Sequence, residues 1–204
     1  MTDPYQGIAA LGLEPLARGW ANSHSPALAE HIIRARVVIE VGSFMGASVA
    51  WMAEHNPAAR FYCVDTFLGS PEIAGEDLAG IPYQFGRLML LERFLSNMLA
   101  AGIEDRVTPI IQTSTSGAKM LRAQGISADL IYVDAGHDYL ECYADLVSYL
   151  PLLAKGGVMI VDDYAGFPGV RGAVERFAVE AGMEFDIAHG QAIMRQRYRL
   201  QVEG

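Results

Sequence analysis

The sequence predicts an α/β fold in which a mostly parallel β-sheet is covered by helices on both faces. Short apolar runs rich in β-branched residues alternate with helix-like segments along the 204-residue chain, which is the pattern of a parallel sheet. The first of these runs leads through a glycine turn into a helix-forming segment. Two strand-like runs close the chain around His189-Gly190, and they predict an antiparallel last strand on an otherwise parallel sheet.

The individual elements are predicted from the apolar periodicity and its interruptions. The strands are expected at residues 37–41, 60–64, 107–111, 129–133 and 157–161, with a closing hairpin of 184–188 and 191–197. The helices are expected at residues 46–55, 86–100, 114–124, 138–150 and 170–182. Residues 37–204 therefore fit one domain of the usual size.

Two segments lie outside this alternation. Residues 1–36 are expected to form one or two helices that pack on the core, with Ser23 or Ser25 as an N-cap and Pro26 in the first turn. Residues 66–85 contain several Gly and Pro and little apolar periodicity, which predicts a long loop. Such a loop is either a lid over a ligand or an ordinary flexible insertion, and the sequence leaves both open.

The composition restricts the classes of partner and compartment. A formal net charge of -9 argues against non-specific binding to nucleic acid or to an anionic membrane surface. Neither a signal peptide nor a run of about 18 apolar residues is evident, so we expect a protein that does not enter a membrane. Cys63 and Cys142 lie in apolar segments, which predicts that both are buried free thiols. Free thiols are typical of a reducing compartment, so we expect a cytoplasmic protein. The apolar content of 51% permits a homodimer or a higher homo-oligomer.

The glycine turn after the first strand indicates the kind of ligand. Its spacing is Gly42-x-x-x-Gly46, and it lacks the middle glycine with which dinucleotide-binding turns approach a pyrophosphate. Glu40 lies two residues before the first glycine, where it can face an ammonium group or organise the turn. Alternatively, Glu40 is a buried acid that bonds to local backbone. A ligand with an amino group and hydroxyls but no phosphate fits this pattern, and S-adenosylmethionine is such a ligand.

Carboxylates lie at the carboxyl ends of four of the five predicted parallel strands, with Glu40 at the end of the first. Asp65 follows the second strand, where an acid can accept hydrogen bonds from both ribose hydroxyls or can cap a turn. Asp134 follows the fourth strand, and Asp162 and Asp163 follow the fifth. Because the carboxyl ends of parallel strands share one sheet edge, these acids are expected to converge and to repel unless a cation or a hydroxyl ligand satisfies them.

The acids at the fourth and fifth strands predict a metal site. Asp134, Asp162 and Asp163 offer the hard oxygen ligands that Mg²⁺, Mn²⁺ or Ca²⁺ prefer, whereas no zinc motif is present. An ion there could lower the pKa of a substrate hydroxyl. The alternative is that the acids cap turns and Asp134 contacts a cofactor amine alone. His137 lies beside them as a candidate proton acceptor, and Asp138 is the expected N-cap of the next helix.

Four blocks of the sequence resemble one family. They are Glu40-Val41-Gly42-Ser43-Phe44-Met45-Gly46-Ala47-Ser48, Tyr62-Cys63-Val64-Asp65-Thr66-Phe67, Ile131-Tyr132-Val133-Asp134-Ala135-Gly136-His137-Asp138-Tyr139 and Gly156-Gly157-Val158-Met159-Ile160-Val161-Asp162-Asp163-Tyr164. In order and spacing the chain resembles class I S-adenosylmethionine-dependent methyltransferases. More narrowly, it is similar to the metal-assisted small-molecule O-methyltransferases of the macrocin O-methyltransferase and cephalosporin-hydroxylase-like group.

This resemblance implies a Rossmann-like, doubly wound sheet of seven strands in the order 3-2-1-4-5-7-6. The cofactor site that follows comprises Glu40, Gly42, Ser43, Gly46, Ser48, Asp65, Thr66, Thr113, Ser114 and Asp134. Catalysis is assigned to Asp134 and His137, and a divalent cation such as Mg²⁺ to Asp134, Asp162 and Asp163. The expected reaction is methyl transfer to a hydroxyl of a sugar or polyhydroxylated natural product. A hydroxylase-like or non-methylating protein of the same fold, and an NAD-linked oxidoreductase, remain as alternatives.

Overall fold

A seven-stranded sheet forms the centre of the computed structural model, which describes residues 3–13, 26–69, 81–84 and 86–196. The strands are β1 (Val37–Val41), β2 (Arg60–Asp65), β3 (Tyr83–Gln84), β4 (Arg87–Leu88), β5 (Val107–Ile111), β6 (Ala128–Val133), β7 (Leu153–Val161), β8 (Met183–Ala188) and β9 (Gln191–Gln196). The α-helices are α1 (Pro26–Ile32), α2 (Ala47–His55), α3 (Leu90–Ala100), α4 (Ser114–Ala123), α5 (Tyr139–Tyr149) and α6 (Pro168–Ala181). Short 3-10 turns lie at Ala9–Leu11 and Leu150–Leu152.

The sheet has the predicted topology. Its strand order is β5-β2-β1-β6-β7-β9-β8, while β3 and β4 form a separate two-stranded ribbon. Numbering the seven sheet strands along the chain gives 3-2-1-4-5-7-6, which confirms the expected order. The last strand, β9, runs antiparallel to both β7 and β8, and the remaining pairs between neighbouring strands are parallel. The Rossmann-like α/β class is therefore confirmed.

Alternation along the strands builds two cores, one on each face of the sheet. In β1, Val38 points into one apolar cluster while Ile39 and Val41 point into the other, as the two-residue repeat of a strand requires. The first cluster lies under α1, α2 and α3, and the second under α4, α5 and α6. Both faces of the central strands are thus buried, which explains why they consist of near-continuous apolar runs.

Two predicted boundaries are wrong by several residues. Helix α3 begins at Leu90 rather than at residue 86, because residues 87–88 pair with Tyr83–Gln84 as a short antiparallel ribbon. Strand β7 begins at Leu153 rather than at residue 157 and continues through Gly156 and Gly157. Gly156 adopts a left-handed φ of 84°, and the pairing of β7 with β6 shifts register nearby, so the irregularity is absorbed within the strand.

The segment before the sheet packs on the core where it is described. Helix α1 begins at Pro26 as expected, and its Leu28 and Ile32 are fully buried in the first cluster. The Tyr5 hydroxyl donates a hydrogen bond to the carbonyl oxygen of Val107 on the edge strand. The candidate caps Ser23 and Ser25 lie outside the described residues. So do residues 70–80 and 85, which form most of the loop considered as a lid.

Both cysteines are free and buried, as predicted. Within the described ranges, none of the helices has the length and apolar character that a membrane crossing requires.

The amide of Asn56 joins the N-terminal segment to the sheet domain. It is buried, and its Nδ2 donates to the carbonyl oxygens of Ile32 at 2.7 Å and Ala35 at 2.6 Å. We expect Asn56→Ala to lower the free energy of unfolding by about 1–3 kcal/mol, because buried carbonyls lose their donor. Chemical denaturation measures this loss, with the exposed Gln124→Ala as the matched control. Equal stability of the two variants would show that this amide does not hold the segment.

Candidate active site

The polar residues after four parallel strands converge at one edge of the sheet. Hydrogen bonds continue one residue beyond the strands: Gly42 N–H donates to Val64 O, Asp134 N–H to Val41 O, and Asp162 N–H to Val133 O, each at 2.9 Å. The strand pairing therefore sets these residues side by side. The predicted convergence is observed at the edge where open α/β sheets bind their ligands.

The glycine turn after β1 requires its two glycines. Gly42 has a φ of 87°, and a Cβ there would lie 2.0 Å from the carbonyl oxygen of Asp134. Gly46 has a φ of 80°, and a Cβ there would lie 2.4 Å from the Met98 side chain of α3. Both positions therefore need the left-handed backbone and the missing side chain of glycine. The turn is pressed against the residue that follows β6 and against α3.

Glu40 lies fully buried under this turn. One carboxylate oxygen accepts a hydrogen bond from the Ser48 hydroxyl, while Oε2 has no hydrogen-bond partner among the described residues. Burial raises the pKa of Glu40 to about 7, although the bond from Ser48 acts in the opposite direction. An orphaned buried acceptor of this kind is the feature that a donor group of a ligand would satisfy.

Asp65 accepts hydrogen bonds from two turns, the one that follows β1 and the one that follows β2. Its Oδ2 accepts the backbone N–H of Phe44 at 2.8 Å, and its Oδ1 accepts that of Phe67 at 2.7 Å. Both Phe44 and Phe67 have a left-handed backbone, with φ of 43° and 54°. The turn-capping alternative for Asp65 is thus observed. Each carboxylate oxygen has a second lone pair, so these bonds leave room for hydroxyl donors.

A cavity of about 350 Å³ lies between the starts of α4 and α5. Its wall is formed by Ser114, Thr115, Ala135, Gly136, Leu140, Glu141, Ala144 and Asp145. The buried Asp145 accepts a hydrogen bond from the Ser114 hydroxyl, and burial raises the pKa of Asp145 to about 6. Ser114 was predicted for this region, and Thr113 precedes it as the N-cap residue of α4.

Asp134, His137 and Asp163 form a compact group of half-buried ligand atoms. One atom from each lies within 4.8 Å of the others, and His137 Nε2 is 2.9 Å from Asp163 Oδ2. Burial, followed by the charges of Asp162, Glu40 and Asp163, raises the pKa of Asp134 well above its usual range. Burial and Asp162 also raise the pKa of Asp163, while His137 lowers it. The group therefore consists of two carboxylates that repel each other and one imidazole.

Asp162 differs from the arrangement expected for it. Its Oδ2 accepts a hydrogen bond from the Tyr132 hydroxyl, and its Oδ1 accepts bonds from Gln191 Nε2 at 3.2 Å and from the Asp163 N–H at 2.8 Å. Three of its roughly four lone-pair positions are therefore occupied. The structure brings Asp134 and Asp163 together as predicted, but His137 takes the place in the group that the sequence suggested for Asp162.

The imidazole ring of His137 is held by Asp163 at its edge and by Phe167 on its face. Its ring stacks on Phe167 with 4.0 Å between ring centroids and an interplanar angle of 16°. Phe167 precedes α6 and is partly exposed, so the pair lies at the surface of the acid cluster. Asp138, the next residue, accepts the Leu140 N–H at 2.8 Å and is the N-cap of α5, as predicted.

Three polar residues of this region were missed by the sequence analysis. Asp145 carried a signal, because it lies on the buried face of α5 with Cys142 and Tyr149, where an acid is unusual. Tyr132 and Gln191 carried no such signal in the sequence, since both have the pattern of ordinary strand residues. Their roles follow from the order of β6, β7 and β9 in the sheet.

Comparison with known proteins identifies a family that matches the sequence and solved structures that share the fold. A family model described as a methyltransferase domain matches residues 39–164, well over half of the chain. No curated protein sequence matches significantly.

Several solved structures share the fold at low sequence identity. A putative caffeoyl-CoA O-methyltransferase from Staphylococcus aureus has a TM-score of 0.63 at 15% identity, with 93% of this chain and 88% of that chain covered. CalS11, a TDP-rhamnose 3'-O-methyltransferase of calicheamicin biosynthesis, has a TM-score of 0.56 at 19% identity, with 83% and 75% covered. TomG from Streptomyces achromogenes, solved with S-adenosylmethionine, has a TM-score of 0.57 at 16% identity, with 95% and 88% covered.

Proposed function

Because the chain belongs to the methyltransferase-domain family, as a class I S-adenosylmethionine-dependent methyltransferase, we propose that it methylates a hydroxyl oxygen of a small polar molecule. S-adenosylmethionine supplies a methyl group that its sulfonium already activates. The protein therefore has to bind the donor, place the hydroxyl in line with the methyl group and remove the hydroxyl proton. Each of these tasks has candidate residues at the sheet edge.

The donor site is supported by the turn, the buried acid and the cavity. The unpartnered Oε2 of Glu40 lies below the glycine turn, where an ammonium group would satisfy it. Asp65 keeps free lone pairs for ribose hydroxyls, and the cavity at Ser114 offers room for a purine ring. The proposed donor site comprises Glu40, Gly42, Ser43, Gly46, Ser48, Asp65, Thr66, Thr113, Ser114 and Asp134.

The donor set at Asp134 and Asp163 fits a divalent cation. Hard carboxylate oxygens suit Mg²⁺ or Mn²⁺, and a cation would offset both the burial and the like-charge repulsion that raise the pKa of the two acids. Bound there, such an ion supplies Lewis acidity that lowers the pKa of a substrate hydroxyl. We assign Asp134 and Asp163 as its ligands. Asp162 borders the site with its oxygens largely occupied.

One observation gives the proposal its strongest support: Asp134 belongs to both halves of the site. Its backbone bonds to β1 beside the glycine turn, and its side chain joins the group of His137 and Asp163. A donor at the turn and an acceptor at the histidine would therefore meet at Asp134. His137 takes the proton of the hydroxyl, while Asp163 and Phe167 fix the orientation of its ring.

For the acceptor we propose a sugar or another polyhydroxylated molecule. The site is acidic, and the partly exposed ring of Phe167 offers an apolar surface beside it. Among the structures of the same fold, CalS11 is described as acting on a rhamnose, which is the same class of acceptor.

Binding of the demethylated donor is the first test. Isothermal titration of the purified protein with S-adenosylhomocysteine should give saturable binding at micromolar ligand. NADH serves as the control ligand, and quenching of its fluorescence on binding would favour an oxidoreductase. Absence of S-adenosylhomocysteine binding at high micromolar concentrations would contradict the assignment.

Turnover separates a methyltransferase from a non-methylating protein of the same fold. We expect S-adenosylmethionine to be consumed with a panel of sugar hydroxyl acceptors, and EDTA to suppress the reaction until Mg²⁺ is restored. Donor binding without turnover on any acceptor would favour the non-methylating alternative. Turnover that EDTA leaves unchanged would remove the cation from the proposal while keeping methyl transfer.

A further inference from the structure

The carboxylate of Asp162 is held from both sides by the strands that flank β7. Asp162 follows β7 directly, and the sheet order places β6 on one side of β7 and β9 on the other. From β6, the Tyr132 hydroxyl donates to Asp162 Oδ2. From β9, Gln191 Nε2 donates to Asp162 Oδ1 at 3.2 Å. One side chain is thus fixed across three strands of the sheet.

The two donors are enclosed in the interior. Tyr132 is 2% exposed and Gln191 is 3% exposed. A buried tyrosine hydroxyl or glutamine amide is costly unless it is hydrogen-bonded, and here both find the same carboxylate. Gln191 Nε2 also lies 3.5 Å from the Tyr132 oxygen, so the three side chains form one connected network. Such a network is rigid because each member fixes the orientation of the next.

The network acts on the next residue in the chain. Asp162 Oδ1 accepts the backbone N–H of Asp163 at 2.8 Å, and Asp163 has a left-handed φ of 57°, which is unfavourable for a residue with a side chain. This backbone turns the Asp163 carboxylate towards His137, 2.9 Å away, and towards Asp134. The rigid carboxylate of Asp162 therefore helps to hold Asp163 in the conformation that faces the group.

We propose that Tyr132 and Gln191 are positioning residues, which act through Asp162 to keep the Asp163 carboxylate aimed at Asp134 and His137. This inference rests on the proposed function of the same site. In this proposal neither residue contacts the substrate or the donor, and neither is a ligand. The hairpin of β8 and β9 gains a role in the chemistry from this arrangement, because it supplies Gln191 to the network.

Metal affinity tests the proposal without relying on activity. Mn²⁺ is titrated into protein saturated with S-adenosylhomocysteine, and free Mn²⁺ is followed by electron paramagnetic resonance. We expect Tyr132→Phe and Gln191→Met to weaken Mn²⁺ binding by about 10- to 100-fold, the usual effect of removing a group that orients a metal ligand. The affinity for S-adenosylhomocysteine should stay at the wild-type value. A general loss of structure would lower both affinities.

Tyr149→Phe is the matched control. Tyr149 is as buried as Tyr132, and its hydroxyl donates to the backbone of Ser114, away from Asp162. Tyr149→Phe therefore removes a buried hydroxyl, as Tyr132→Phe does, but one that does not bond to Asp162. Its Mn²⁺ affinity should equal that of the wild-type protein. If Tyr132→Phe does not fold, judged by its melting curve, Gln191→Met decides the question.

Two results would overturn the inference, and they can be told apart. Wild-type Mn²⁺ affinity in folded Tyr132→Phe and Gln191→Met would remove the positioning role and leave the proposed function intact. No Mn²⁺ binding by the wild-type protein would overturn both the inference and the assigned cation. S-adenosylhomocysteine binding and methyl turnover in EDTA would then still support a metal-independent methyltransferase.

Discussion

Replacing Asp134 by Asn is expected to stabilise the metal-free protein and to lower kcat by about 100- to 1000-fold. Burial, and then the charges of Asp162, Glu40 and Asp163, raise the pKa of Asp134, so its charged form is disfavoured in the folded state. The metal-free wild-type protein should therefore lose stability as the pH rises above ~4, where unfolded carboxylates ionise. The amide removes the buried negative charge, and it replaces an anionic oxygen ligand of the cation by a neutral and weaker one.

Thermal unfolding in EDTA, followed from pH 4 to pH 8, measures the first effect. Each kcal/mol of relieved repulsion should raise the melting temperature by about 2–4 °C, and the gain should grow with pH. Asp105→Asn is the control, because this acid is exposed and remote from the site. A lower melting temperature with normal kcat would contradict the role of Asp134 on both counts.

The α/β class and the positions of the strands could be predicted from the residues because each strand has a recognisable local pattern, whereas the order of the strands was implied by the resemblance to a family. A β-branched run such as Val37–Val41 needs two covered faces, and the alternation with helices leaves few ways to provide them. Strand boundaries are weaker signals. Residues 87–88 pair as a strand only because Tyr83–Gln84 lies opposite, and no local pattern encodes that partner.

For the candidate site, the placement of the residues could be predicted from sequence, but the directions of their side chains could not. The placement of Asp65, Asp134 and Asp163 at one edge follows from their position after parallel strands, and the structure brings them to that edge. The direction of each side chain does not follow from position. Asp162 and Asp163 are neighbours in sequence, yet one turns to Tyr132 and the other to His137. One partner of Asp162 is Gln191 of β9, and although the expected strand order places β9 beside β7, nothing in the sequence indicates that this side chain bonds to Asp162.

Replacing His137 by Gln is expected to lower kcat by about 10²- to 10⁴-fold, the usual loss when a general base is removed. Gln keeps a polar side chain beside Asp163 but cannot accept the hydroxyl proton. Because Asp134 and Asp163 remain, Mn²⁺ affinity should fall by less than about tenfold, and the KM for S-adenosylmethionine should stay unchanged.

The comparison of kcat with Mn²⁺ affinity separates the two roles that the geometry allows for His137. One of its ring nitrogens lies within 4.8 Å of an oxygen of each acid and could be a third ligand, so a ligand role predicts that metal binding collapses together with turnover. Phe167→Leu is the matched control, because it removes the stacked ring and leaves both the nitrogen and the acids. A reduced kcat with near-normal Mn²⁺ affinity in the His137 variant, and a smaller loss in the Phe167 variant, would identify the imidazole as the proton acceptor. Collapse of Mn²⁺ binding would instead assign it to the metal.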